Sequence, residues 1–265
     1  MHPTRIPLLG GEVDLVTPDD VLAFTAERIA AGAKGIVANH NLHSLALLRR
    51  DPGMRAFYDR ADVIEADGTP LIAWGALLGR GLSRAHRCTY LDWRERFWAL
   101  AVQHGWRVFY LGGGACVAAN GAEAVRRRWP GVQPVGTADG FFDMDGPDND
   151  WLVQRINTFR PDVLFVGMGM PRQERWILAN YDRLEHGVVF PVGAAFDYEA
   201  GAVPTPPRWA GPLGVEWLFR LAAEPRRLAH RYLVEPWSLL PAAVEDLRLS
   251  RGLKPETPRP IRSSP

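Results

Sequence analysis

Apolar bursts of strand length alternate with stretches of helical periodicity along most of this chain of 265 residues. That alternation narrows its fold more than any other feature. WRVFYLGGG (Trp106–Gly114) runs into CVAANGAEAVRRRWP, VQPVGTADGFF into NDWLVQRINTFRP, and DVLFVGMGM into QERWILANYDRL, before VVFPVGAAFD closes the series. The N-terminal part has the same rhythm in VDLVT, GIVANHN and DVIEADGTP, with Pro18 suited to a first helical position. Strands separated by helices of roughly 10–15 residues imply βαβ units and a parallel sheet. The expected fold is α/β, Rossmann-like in the broad sense, a mainly parallel sheet with helices on both faces. From Gly214 the strands stop and helical spacing takes over. The expected division is a core over 1–210, a helical basic and aromatic arm over 211–250, and a proline-rich disordered tail over 251–265.

Charge and composition exclude several function classes. Lys plus Arg is 31 and Asp plus Glu 30, so no basic field argues for nucleic acid. Two cysteines, Cys88 and Cys116, make neither a disulfide framework nor a metal cluster. The N-terminus does not read as a signal peptide, and no run of about 18 apolar residues predicts a membrane span. A reducing, cytoplasmic setting is the expectation.

In open parallel sheets, ligands bind beyond the C-terminal ends of the strands, and the polar and glycine-bearing clusters fall there. Asn39 and His40 end one strand, where they could meet a substrate or cap the next helix. Asp67-Gly68 is a turn dipeptide, but a carboxylate at a strand end is also where a general base belongs. LGGG (Leu111–Gly114) suits a phosphate at a helix N-terminus without matching a full nucleotide fingerprint. ADGFF offers an aromatic that could stack on a base, although core is the commoner fate of such residues. In GMGMPRQE, Pro171 fits the first helical position and Glu174 suits the helix dipole. Arg172 and Gln173 are left aimed at the cleft, and Gln173 can both donate and accept. His40 and His43 lack a third ligand, and the acidic loop at Asp143–Asp145 reads as solvated. In the C-terminal arm, arginines interleave with aromatics. That is either a solvated basic face or an element for an anionic membrane surface.

In this order the clusters resemble the WecG/TagA/CpsF family of bacterial glycosyltransferases. The matching residues are Asn39, then Asp67, Gly68 and Pro70, then Arg87 and Asp92, then Leu111–Gly113. Pro130–Phe142, Val166–Trp176, Val192–Gly201 and Gly214–Leu233 complete the match, so the resemblance covers roughly residues 10 to 235. It implies an inverting, metal-independent transferase without a cofactor. Such an enzyme moves N-acetylmannosamine, its uronic acid, glucose or a similar hexose from a UDP-sugar to a polyprenyl-pyrophosphate-linked saccharide. It would work at the cytoplasmic face of the bacterial inner membrane, held there through the C-terminal arm. The resemblance implies Asp67 as base and Gln173 as its catalytic companion. Gly112 and Gly113 would receive UDP, and Arg220, Arg227 and Arg231 would reach phosphates. Asn39, Arg87, Asp92, Gly140, Phe141, Gly169, Arg172 and Glu174 complete the expected substrate-binding set. Self-association into a homo-oligomer is a further expectation from the resemblance, and LIAWGALLG (Leu71–Gly79) reads either as an interface or as core.

The chain departs from the family pattern at Ala38, Tyr90 and Thr205, where the family has threonine, glycine and arginine; Arg208 is a candidate substitute for the last. These positions are expected in substrate-contacting loops. Two other functions stand beside the transferase: a Rossmann-like NAD(P) oxidoreductase, invited by LGGG, and a non-catalytic membrane scaffold with the same fold.

Overall fold

The computed structural model describes residues 3–207 and 209–252, without the side chains of Pro212 and Arg227. Arg208 and the tail from 253 onward lie outside the described residues, as does the Arg227 side chain.

The chain opens with a hairpin, β1 (Arg5–Leu8) and β2 (Gly11–Asp14), turned at Leu9-Gly10 with φ of 52° and 78°. This corrects one expectation: VDLVT does not start the parallel sheet but ends in a separate two-stranded antiparallel sheet. Buried Asp14 explains the hairpin's position. Its carboxylate takes the Arg5 guanidinium at 2.9 Å and accepts the Ile64 amide at 2.7 Å, clamping the hairpin to the main sheet.

Next come α1 (Pro18–Ala30), β3 (Gly35–His40), α2 (Leu42–Leu48), α3 (Pro52–Asp59), β4 (Val63–Ala66), α4 (Thr69–Leu77) and α5 (Tyr90–His104). Then follow β5 (Val108–Gly112), α6 (Ala115–Arg128), β6 (Gly136–Ala138), α7 (Pro147–Phe159), β7 (Val163–Gly167), α8 (Arg172–Asn180), β8 (Val188–Pro191) and α9 (Ala195–Glu199). Strands β3 to β8 form one six-stranded sheet in the order β4-β3-β8-β7-β5-β6, every pairing parallel.

Side chains of a strand alternate between its two faces, and here both faces are buried, which is why the strands read as unbroken apolar runs. Ile36, Ile64, Leu164 and Val166 pack under α2, α3, α7 and α8. Val37, Val63, Phe165 and Phe190 pack under α1, α5 and α6. Helix α5 shows how sequence sets this up. Its buried residues Tyr90, Leu91, Trp93, Phe97, Trp98 and Ala101 recur at helical spacing, and Gly105 ends it in the left-handed conformation. That stripe carries Trp93 onto Phe165 and Phe190.

Beyond α9 the chain continues as α10 (Ala210–Leu213), α11 (Glu216–Ala223), α12 (Pro225–Ala229), a π-helical turn (His230–Val234), a 3₁₀ turn (Glu235–Leu239) and α13 (Leu240–Ser250). The arm is thus a series of short pieces, with Pro225 and Pro236 at their starts. Two buried carboxylates tie it to the core. Glu235 is gripped by His43 and by Arg50 at 2.5 Å. Asp246 accepts the Leu9 amide at 2.8 Å and the Trp74 indole N–H at 3.0 Å, beside Arg80 at 3.3 Å. In α4, Leu71, Ile72 and Gly75 are core while Ala73, Ala76 and Leu77 are exposed, so LIAWGALLG has one buried face and one open face.

Removing the Asp246 carboxylate strands the buried Leu9 amide, the part-buried Trp74 indole N–H and a cation. Asp246→Ala is therefore expected to cost about 3 kcal/mol, read as a lower urea midpoint at unchanged m-value.

Candidate active site

The C-terminal ends of all six parallel strands open into one cleft of about 1100 Å³. Asn39 and Asn41 come from the end of β3, Glu65 and Asp67 from β4, Gly113 from β5, and Gly140 and Phe141 from β6. Gly167 and Gly169 come from β7, and Pro191 and Gly193 from β8. The arm closes the cleft with Glu216, Arg220, Glu224 and Arg231.

Glycines let these strand ends meet. At Gly112, with φ of 158°, a Cβ would lie 2.3 Å from the Gly167 carbonyl oxygen. The Gly113 amide donates to that same oxygen at 3.3 Å, and the Gly113 carbonyl accepts the Gly140 amide at 2.9 Å. The expectation for the glycine loop changes accordingly. Gly112 is a buried packing position that does not line the cleft, and the Gly113 N–H is already used within the fold. The open amides of this loop are those at the start of α6, which Gly114 precedes without a side-chain cap.

Asp67 lies at the turn into α4. Gly68 takes the positive φ of 112° that the turn demands and is itself the helix's flanking residue, with no side-chain cap. The Asp67 carboxylate is therefore not spent on capping. It faces the cleft and accepts the Asn41 amide N–H at 3.3 Å. Protein surrounds it on its other sides, and that burial raises its pKa above the ordinary aspartate range against the pull of Asn41, Arg220, Arg87 and Arg231. Two residues earlier, Glu65 is 3% exposed, and burial followed by the Asp67 charge pushes its pKa well up.

The stretch GMGMPRQE resolves into a turn and a helix start. Pro171, joined to Met170 by a cis peptide bond, is the flanking residue, and α8 begins at Arg172 rather than at the proline. The Gln173 amide oxygen accepts the Gly169 N–H at 3.1 Å, and its nitrogen donates to Glu174 at 2.7 Å. Gln173 lines the cleft but holds this turn with both ends of its amide. Glu174 is fully buried rather than displayed at the helix end, and burial raises its pKa to about 7. Arg172 donates to the Phe142 carbonyl at 2.5 Å.

Several expected residues lie elsewhere. His40 is core: fully buried, stacked on Tyr58 at 3.8 Å, bonded to Ser44, and kept neutral by burial with a pKa of about 3. Arg87 bridges Asp92 at 3.3 Å and Glu216 at 2.5 Å and lines a smaller neighbouring cleft of about 220 Å³ with Asp92. Ala38 points into the core, so a hydroxyl at that position would not face the cleft. Thr205 is exposed and outside the cleft lining, whereas Tyr90 lines it and donates to Glu199 at 2.9 Å. Asn39 lines the cleft while its side chain donates to the Pro191 carbonyl at 2.7 Å. Phe141 is 83% exposed on the rim and so is not core. Arg220 stands 6.0 Å over the Tyr198 ring.

Sequence reasoning overlooked Asn41, Glu65, Trp93 and Tyr198. Asn41 had a legible signal, as the polar residue before a helix with Ser44 three positions on; the structure makes that pair a reciprocal cap. Glu65 lay inside an apolar strand run, which itself marks a buried carboxylate.

A family model described as the glycosyl transferase WecG/TagA/CpsF family matches residues 6–252. Curated relatives include N-acetylglucosaminyldiphosphoundecaprenol N-acetyl-beta-D-mannosaminyltransferases of Staphylococcus aureus strains NCTC 8325 / PS 47 and COL. Each is 27% identical over 228 residues, covering 84% of this chain and 87% of the relative.

Folded Glu174 keeps its proton to about pH 7, whereas the unfolded chain releases it near the ordinary glutamate value. Its contribution to stability is whole below that value and is lost as pH rises through about 7. Glu174→Gln preserves the acceptor for Gln173. It should match wild type near pH 4 and exceed it by up to about 3 kcal/mol at pH 8, as measured by urea unfolding at both values.

Proposed function

The chain belongs to the WecG/TagA/CpsF glycosyl transferase family. From that premise we propose that it transfers a hexose from a UDP-sugar to a polyprenyl-diphosphate-linked saccharide. The observation that carries this reading is the Asp67 carboxylate: facing the cleft, uncommitted to a helix cap, and raised in pKa by burial. The names of the curated relatives, which specify a diphosphoundecaprenol-linked acceptor, support the acceptor class.

In the proposed reaction an acceptor hydroxyl oxygen attacks the anomeric carbon from the face opposite UDP. Its proton passes to Asp67 as the new C–O bond forms. The bond from the anomeric carbon to the UDP oxygen breaks, and its electron pair leaves on the β-phosphate. Configuration inverts. The charge arriving on UDP is met by Arg220 and Arg231 of the cleft wall and by the open amides at the start of α6, without a metal. Exposed Phe141 offers a stacking surface for the uracil. Gln173 acts by holding the Gly169 turn in place, a positioning role, with one amide hydrogen left for a sugar hydroxyl.

A lipid-linked acceptor requires approach to a membrane surface. No helix among the described residues is long and apolar enough to cross one. The arm instead exposes Trp209, Leu213, Leu218, Phe219, Leu233, Val234 and Trp237, beside exposed Arg226. Apolar and aromatic side chains with basic neighbours suit the interface of an anionic bilayer, so peripheral attachment at the cytoplasmic face is part of the proposal. An oxidoreductase reading has no comparable support, since Gly112 and Gly113 are consumed in strand packing.

UDP release from a UDP-sugar and a lipid-diphosphate acceptor, measured with EDTA present, tests the reaction. Asp67→Asn should lower kcat by about 10²–10⁴-fold. The acid limb of the wild-type profile should lie above the ordinary aspartate pKa, because the base works only when ionised. Unchanged turnover in Asp67→Asn sinks the assignment, and loss of wild-type turnover in EDTA sinks the metal-free scheme. For attachment, Leu233→Ser with Trp237→Ser should reduce cosedimentation with anionic phospholipid vesicles several-fold, and undiminished binding would remove the arm as the anchor.

A further inference from the structure

Strands β3 and β4 end in register, with His40 paired to Ala66, so Asn41 and Asp67 are the next residue of each chain segment at the cleft. The Asp67 amide donates to the His40 carbonyl at 2.8 Å, which fixes the two backbones against each other. Asn41 caps the start of α2, and its side chain is used in two directions. Its Oδ1 accepts the Ser44 amide at 3.1 Å, and its Nδ2 donates to Asp67 Oδ2 at 3.3 Å. The two ends of an asparagine amide have nearly the same shape, so their partners decide which way round it sits. Here the helix start decides. Turned over, the amide would set N–H against N–H at Ser44 and oxygen against the Asp67 carboxylate. Ser44 is held in turn. Its hydroxyl accepts the Asn41 backbone N–H at 2.8 Å, donates to the Asn41 carbonyl at 2.8 Å and meets His40 Nδ1 at 2.9 Å. Burial keeps His40 neutral, and its ring stacks on Tyr58. A helix cap and a buried histidine thus stand behind the hydrogen bond to Asp67.

We propose that Asn41 is a positioning residue for the base: the α2 cap turns its amide so that it holds Asp67 Oδ2 and leaves Oδ1 to the acceptor hydroxyl. The inference rests on the transferase reading above. A general base must be aimed as well as present, and a misplacement of about 1 Å can cost on the order of 10²-fold in rate. A fixed donor on one carboxylate oxygen aims the other. The same N–H favours the ionised form of a carboxylate that burial disfavours. The other groups facing Asp67 are Glu65 of β4, Tyr58 of α3, Arg87 and Cys88 ahead of α5, Tyr198 of α9, and Arg220 and Arg231 of the arm. All of them are common to wild type and to any Asn41 variant, so a changed pH profile in such a variant belongs to Asn41.

The test separates the cap from the positioning. Serine caps a helix about as well as asparagine, and alanine does not. Serine is too short to reach Asp67, and aspartate keeps the cap but sets an oxygen against the base. Thermal unfolding should therefore place Asn41→Ser near wild type and Asn41→Ala below both. Activity should follow a different order. UDP release is measured across pH with a diphosphoundecaprenol-linked N-acetylglucosamine acceptor and whichever of UDP-N-acetylmannosamine and UDP-glucose the wild type turns over. Asn41→Ser and Asn41→Ala should lose kcat alike, by at least about tenfold, while the KM for the UDP-sugar stays within about twofold. Loss of the N–H leaves burial less opposed, so the acid limb of kcat/KM should move up by about one pH unit. Asn41→Asp should lose the most. An Asn41→Ser enzyme with wild-type kcat and an unmoved acid limb, or activities that merely follow the unfolding temperatures, overturns the positioning role and leaves the transferase intact. Absence of wild-type turnover with every UDP-sugar removes the transferase reading, and this inference with it.

Discussion

The sheet is covered on both faces, and that single constraint organises the rest of the molecule. Strands whose alternate side chains enter two separate apolar clusters have no face left for polar chemistry. Hydrogen-bonding groups are then forced to the strand ends, and parallel pairing collects all the C-terminal ends on one edge. Six loops converge there without any one of them carrying a complete site. The close meeting of β5 and β7 at Gly112 and Gly167 is the tightest point of that edge: a single Cβ at Gly112 would drive into a backbone carbonyl. The glycines therefore allow the cleft to exist before they could serve any ligand.

Burial then sets the chemistry of the carboxylates at this edge. Asp67, Glu65 and Glu174 all hold their protons more tightly than free side chains do, and in each case desolvation leads the causes. They differ in what they touch. Glu174 accepts from Gln173 with one oxygen and faces inward with the other unpaired. Glu65 has one unpaired oxygen and lines the cleft. Asp67 opens to the cleft, with arginine charges opposing its burial. Three acids of one type thus reach three different conditions through their neighbours alone. The C-terminal arm supplies the opposing charge, and the Glu235 and Asp246 contacts hold it in register with the core.

Much of this was legible in the sequence, for reasons that can be named. The parallel sheet was readable because apolar bursts of five residues cannot sit on a half-solvated face. Asp67 was readable as turn or base, and the structure makes it a residue of the turn whose carboxylate faces the cleft. Gln173 and Arg172 were read as free to meet a ligand because sequence cannot reveal which backbone groups fold back upon them. His40 looked polar and available beside Asn39, but strand alternation and the Tyr58 ring place it in the core. The β1–β2 hairpin was missed because its turn carries Leu9 at positive φ, a choice with little sequence signal.

By itself the sequence determined the alternation of strands and helices, the glycine turns at strand ends and the family to which the chain belongs, because these rest on local periodicity and ordered blocks of residues. Only the tertiary structure decided which polar groups pair with one another and which stay open. It set Arg87 on Asp92 and Glu216, tied Gln173 to Gly169 and Glu174, and buried Glu65 beside Trp93 in the cleft wall. Pairing depends on distances between segments far apart in the chain, and no local pattern of residues encodes those distances.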